Sequence, residues 1–183
     1  TLEPDTLDKL FEELKKIKDF SILSPICSDS AVPNYKMFNN QDHLKNNKDP
    51  FKVDYVDGYG IILNKKNFKN NFYYDDKMFL HLDSMDLCLR INRSGGSIYI
   101  VPESKIHHEG GKSVDPKYFK EVELSRNWQW IWSKYYYNKK YSNDSKRLEM
   151  EQSVANLFNT LEKEKKDSLK SMTNSYHNKL EIY

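Results

Sequence analysis

At 183 residues the chain fits one domain, or a domain with a helical tail, and its 38% hydrophobic share is enough for a core. Its 29 basic and 27 acidic residues leave a formal charge of +2, so no overall field draws in nucleic acid. No apolar run approaches the roughly 18 residues that a membrane-spanning helix needs. Cys27 and Cys88 stand in apolar settings without CxxC spacing, which reads as buried free thiols in a reducing compartment.

The opening TLEPDTLDKL reads as the start of an amphipathic helix rather than a signal peptide, and a chain that begins inside an element is expected to be a piece of a longer protein. Leu7, Leu10, Phe11, Leu14 and Ile17 fall on one helical face, with Pro4 suited to the first turn. The apolar run Phe20 to Ile26 predicts a strand, and helix followed by strand implies α/β layering. Ser28 to Pro50, rich in Asn, Asp, Pro and Lys, predicts a long loop. Val53 to Leu63 predicts a strand broken by Gly58 and Gly60, glycines that mark a bulge or a close backbone approach. A short helix over Asn64 to Asn70 and an aromatic loop, Phe72 to Asp75, come next. Asp83 to Arg93 predicts a helix closed by Gly95 and Gly96, and Ser97 to Pro102 a strand. From Pro116 to about Lys140 the pattern is helical, with Tyr118, Val122, Trp128, Ile131, Trp132 and Tyr135 as a broad apolar stripe. A last helix spans roughly Leu148 to Leu180, its apolar side suited to docking on the domain or on a second chain. The polar patch Tyr141 to Lys146 reads as a hinge before it.

Several residues invite chemistry. Asp83 and Asp86 sit where the chain enters a helix. In one reading Asp83 caps that helix, Asp86 completes a capping-box-like pattern, and Asp86 pairs with Arg90 at i, i+4. In the other, a carboxylate at this rim takes a proton from an attacking hydroxyl. His107 and His108 follow a strand and precede Glu109, Gly110 and Gly111. Such a histidine is either an ordinary hydrogen-bonding residue or, where carboxylates share the load, a ligand for a Mn²⁺- or Mg²⁺-type ion. Asp57, before Gly58, is either a turn residue or a substrate contact. Trp128, Trp130, Trp132 and the Tyr135 to Tyr137 run either face a packed core or offer rings to a carbohydrate or a membrane interface. Lys134, Lys139 and Lys140 beside them could meet anionic headgroups.

Taken together, GYGIILNKKNF, then YYDDKMFLHLDSMDLCLRINRSGGSIYIVPESKIHHEGGKS, then SRNWQWIWSKYYYNKK resemble the carboxyl-terminal half of family 2 glycosyltransferases, in their rhamnosyltransferase-like branch. The positions that carry the resemblance are Asp75, Phe79, Asp86 to Arg90, Gly95, Pro102, His108, Gly110, Gly111 and Ser113, with Arg126 and Asn127 like the Arg-Asn pair that opens the family's next helix. The likeness covers Thr1 to about Lys140, and the tail from 141 to 183 matches nothing in the family.

The resemblance implies an α/β fold: a partial GT-A (nucleotide-diphospho-sugar transferase-like) sheet with flanking helices and a helical C-terminal tail, residues 1–140 being the acceptor-side part. It implies inverting transfer of a sugar from a nucleotide-diphosphate donor to a glycan or lipid-linked acceptor, in assembly of a bacterial surface polysaccharide or another glycan. The expected place is the cytoplasm or the inner membrane face, with peripheral membrane contact an open option. It further implies His108 as a metal ligand; Asp83 is the candidate for the catalytic base, and Asp57, Asp86 and Trp128 are acceptor-side candidates, Asp57 because it precedes Gly58 on the glycine-broken strand. The cofactor is a divalent metal, Mn²⁺ or Mg²⁺, shared with an upstream Asp-x-Asp motif that this chain lacks, so the chain alone is expected to be inactive. Ser84 stands where the family has its usual catalytic aspartate, and Asp83 matches the glutamate before it. The rival expectation is therefore a non-catalytic carbohydrate- or partner-binding module built on the same scaffold.

Overall fold

The computed structural model describes residues 1–38, 48–68, 73–109 and 114–142, and in the tail 152, 155–156, 159–160 and 162–167. In chain order the elements are α1 (Thr6–Lys16), β1 (Ile22–Cys27), β2 (Tyr35–Lys36), β3 (Phe51–Lys52), β4 (Tyr55–Val56), β5 (Ile62–Leu63), α2 (Asp83–Arg93), β6 (Ile98–Ile106) and α3 (Phe119–Tyr141). The architecture is mixed α/β. Short 3₁₀ turns occupy Lys65–Asn67, where the sequence predicts a longer helix, and Pro116–Tyr118, at the entry to α3. The described tail residues are helical; the remainder of the predicted Leu148 to Leu180 helix, and residues 143–146 of the predicted hinge, lie outside the described residues.

The main sheet has the order β3-β6-β1-β5, with β1 and β6 parallel and the two outer strands antiparallel to them. Strand alternation sorts its side chains into two cores. Ile22, Ile98 and Ile100 join Leu87, Cys88 and Ile91 of α2 on one face, while Leu23 and Val101 join Leu10 of α1 and Phe20 on the other. The sheet is thus covered by a helix on each side, the layering that a helix-then-strand order predicts.

One local feature shapes the end of the sheet where the cleft lies. Pro25 sits inside a central strand, where a missing N–H would break the ladder. The register between β1 and β6 shifts there, between Pro25 and Ile26, so the proline falls at a bulge. The fully buried Asn34 side chain repairs the disturbed pairing, accepting from Cys27 N at 2.9 Å and donating to Pro25 O at 2.9 Å. At the other end of the neighbouring helix, α2 closes in a Schellman motif. Gly96 N donates to Ile91 O and Gly95 N to Asn92 O, with Gly95 at φ 77°.

The predicted Val53 to Leu63 strand is instead two short pieces, β4 and β5, with β3 lying just before it. β4 leaves the main sheet to pair with β2, Tyr35 opposite Val56. The interruption is what frees Asp57, Gly58 and Tyr59 from any ladder.

Candidate functional site

The parallel strands β1 and β6 end at Cys27 and Ile106, and ligands of open α/β sheets bind beyond such carboxyl ends. A cleft of about 530 Å³ opens here. Asp57 and Tyr59 enter it from the loop after β4, Asp83 and Ser84 from the first turn of α2, His108 from the segment after β6, and Trp130 from α3. The cleft therefore brings together Asp57, Asp83 and His108 of the sequence-predicted residues.

Asp83 does not cap its helix. The cap position belongs to Leu82, and no side chain makes a cap hydrogen bond there. The backbone enters α2 through His81 and Leu82, both left-handed at φ 68° and 58°. Each such non-glycine residue costs about 1–2 kcal/mol, and strain of this kind collects at functional sites. The turn is held from three sides. Asp86 N donates to Leu82 O at 2.8 Å, Ser133 Oγ of α3 donates to Leu80 O at 2.6 Å, and the His81 ring meets Trp130 edge-on at 5.5 Å. The consequence is that the Asp83 carboxyl, with Ser84 Oγ 3.5 Å away, is presented to the cleft rather than to the helix's own N–H groups.

Ser84 packs tightly under this corner. A Cβ added to Gly58 would come within 2.5 Å of Ser84 Oγ, so the absence of a side chain at Gly58 makes room for the serine. The close backbone approach expected of this glycine is an approach to α2.

Asp57 is fixed on both sides. Its N–H donates to Asn34 O at 2.8 Å, and Tyr55 Oη donates to its Oδ1 at 2.6 Å. Burial first, then the bond to Asp57, pushes the Tyr55 phenol well above its ordinary range. The Tyr59 phenol is also raised, by burial and then by its contact with Cys27. Across the cleft the His108 ring stacks on Tyr59, centroids 4.1 Å apart and planes 14° apart. His107 points elsewhere, its ring lying 3.3 Å from Ser28 Oγ and 3.3 Å from Glu109 Oε1.

Two expected acceptor contacts require correction. Asp86 is 0% exposed and is not among the cleft's residues. It receives Arg90 Nε at 2.7 Å, Lys140 Nζ at 2.7 Å and Tyr141 Oη at 2.6 Å, so its oxygens are spent inside the protein. Burial alone would raise its carboxyl, but Lys140, Tyr141 and Arg90 outweigh that and hold it below its ordinary value. Trp128 lines a separate groove with Leu124, Ser125, Glu162 and Lys165, and Trp130 is the indole that reaches the cleft. The reason is angular: two residues along an α-helix point about 200° apart.

Among the described residues no group of three or more His, Cys, Asp or Glu side chains is placed to hold a metal. Hard divalent cations take several oxygen ligands, whereas His108 brings one nitrogen from a ring stacked on Tyr59. These described residues do not by themselves fit a metal centre. Gly110, Gly111 and Ser113 lie outside the described residues.

Sequence reasoning missed Tyr55, Tyr59, His81 and Asn34. Tyr55 and Tyr59 flank Asp57 at two-residue spacing, a signal that was present in extended backbone. Nothing local marks Asn34 or the left-handed turn at His81. Neither a scan of protein-family models nor a comparison with curated proteins returned a match to this chain.

Proposed function

We propose that this chain is the acceptor-side part of a GT-A glycosyltransferase of the family 2 type, and that its cleft receives the sugar to be extended. The observation that carries the reading is the meeting of Asp83, Asp57 and His108 at one cleft beyond the carboxyl ends of β1 and β6. The family-like order of motifs along the sequence supports it independently.

In this reading Asp83 Oδ accepts the proton of the acceptor hydroxyl as that oxygen attacks the anomeric carbon of the donor sugar. A new C–O bond forms on one face, the bond to the nucleoside diphosphate breaks on the other, and the configuration inverts. Asp57, steadied by Tyr55, takes a hydrogen bond from a second acceptor hydroxyl. Trp130 and Tyr59 offer ring surface to the sugar's C–H groups. The nucleotide-sugar donor and any Mn²⁺ or Mg²⁺ belong, on this proposal, to the part of the protein that carries the Asp-x-Asp motif. A cytoplasmic place of action, with peripheral contact at the inner membrane face, belongs to the same proposal; no described helix is long and apolar enough to cross a membrane.

The second reading, a sugar-binding module without catalysis, is favoured by one observation, the serine at position 84 under Gly58. Nucleotide-sugar consumption by the full-length protein with Mn²⁺ separates the two. Asp83→Asn is expected to lower kcat by about 10²–10⁴-fold with KM little changed. Turnover that survives this change removes Asp83 as base. Glycan binding without turnover in the unaltered full-length protein establishes the module.

A further inference from the structure

The charge pattern of the cleft narrows its ligand further. Its wall combines the carboxyl groups of Asp57 and Asp83 with the rings of Tyr55, Tyr59 and Trp130 and the imidazoles of His81 and His108, and among its described lining residues there is no lysine or arginine. Resting on the sugar-acceptor reading, we infer that the sugar unit held here bears an amine: the cleft is a site for an amino sugar in preference to uronic acids and phosphorylated sugars.

Sugars that carry a carboxylate or phosphate are held by guanidinium or ammonium groups, through charge-assisted and often paired hydrogen bonds. The described residues of this wall supply none, and its two imidazoles are set against rings, His108 stacked on Tyr59 and His81 edge-on to Trp130. The amino end of α2 opens here, and a helix amino end on its own favours anions. Yet its first residue is Asp83, so an anion arriving there meets a carboxyl group. An ammonium group meets the reverse situation. Asp57 uses Oδ1 for the Tyr55 hydroxyl and keeps Oδ2 for a ligand, Asp83 lines the same cleft, and Trp130 supplies an indole ring, the best of the aromatic faces for a cation. Trp130 is 43% exposed, which leaves ring surface for a ligand.

The test is a titration of the isotope-labelled chain, followed by NMR, with the methyl glycosides of glucosamine, glucose and glucuronic acid. At about pH 7 most of the amine is protonated, since amino groups of this kind titrate near 7.7–8.0, while an ordinary imidazole, near 6.5, is mostly neutral. The glucosaminide is expected to move the resonances of Gly58, His108 and the Trp130 indole, and to bind about three- to tenfold more tightly than the glucoside, with the glucuronide weakest. That preference is expected to shrink at high salt and to fall close to onefold when Asp57→Asn and Asp83→Asn are combined. Glucoside and glucuronide binding at the same resonances as tightly as the glucosaminide overturns the amine inference and leaves the sugar reading standing. Absence of shifts with all three sugars removes both. The ligand series on the unaltered chain needs no variant to fold.

Discussion

Asp83 and Asp86 stand three residues apart on α2 and meet opposite surroundings. Asp83 lies at the strained entry to the helix and looks into the cleft, while Asp86 is enclosed by Arg90, Lys140 and Tyr141. The same sequence signal, an acid in a helix's first turn, thus covers one residue free for chemistry and one committed to structure. Between them Ser84 is pinned by Gly58. Gly58→Ala is expected to cost about 1–2 kcal/mol, because the new methyl group and Ser84 Oγ compete for one space. Most of that cost should vanish in a Ser84→Ala background. Urea denaturation of the single and double variants measures the coupling; additive effects would mean that the two residues do not compete. The glycine's role was legible from an interruption in a strand-like run, but its partner was not, since residues 58 and 84 meet only through the fold.

At the scale of elements, α3 is the piece that departs most from expectation. Its aromatic stripe predicts a helix docked by burial, yet of the stripe only Ile131 is buried, and Trp128 and Trp132 are 45% and 40% exposed. α3 is attached mainly through polar contacts to residues 75–86: Trp132 Nε1 to Lys77 O at 2.8 Å, Ser133 to Leu80 O, and Lys140 Nζ between Asp75 and Asp86 at 2.7 Å each. Periodicity reads hydrophobic faces and is blind to such a clasp. Burial pulls the Asp75 and Asp86 carboxyls upward, but Lys140 and its neighbours outweigh it, so both sit below the ordinary 3.8. Lys140 is correspondingly above its ordinary 10.5, its burial overcome by the same two acids. Groups with depressed folded values contribute stability above their unfolded pKa and lose it as pH falls through the folded one. Lys140 contributes fully below 10.5 and loses its share only as pH rises through its higher folded value. α3 should therefore hold from neutral pH down to about pH 4 and release below it. Tryptophan fluorescence against pH tests this, and an emission spectrum unchanged to about pH 2 would contradict it.

Across the whole molecule, one end of the sheet collects everything of interest: the carboxyl ends of β1 and β6, the entry to α2, the loop after β4 and one indole of α3. Helices α1, α2 and α3, strand β1 and the acid-helix-glycine-strand-histidine order were legible from spacing and punctuation, because each is locally encoded. The cleft residues Asp57, Asp83 and His108 were legible as candidates too. Less so were the long β6, which runs four residues past the predicted stop at Pro102, and the splitting of the glycine-bearing strand; both depend on pairing with distant β1 and β2. A division of labour between two aspartates is what the molecule's arrangement implies, and on the proposed acceptor-side reading it can be measured in the protein joined to its donor-binding part. Asp83→Asn and Asp86→Asn are compared for unfolding free energy and for turnover per folded molecule. The expected result is that Asp86→Asn loses about 3 kcal/mol of stability yet keeps its turnover, because it breaks a buried ion cluster, while Asp83→Asn keeps its stability and loses turnover. Turnover lost with Asp86→Asn and kept with Asp83→Asn would contradict it.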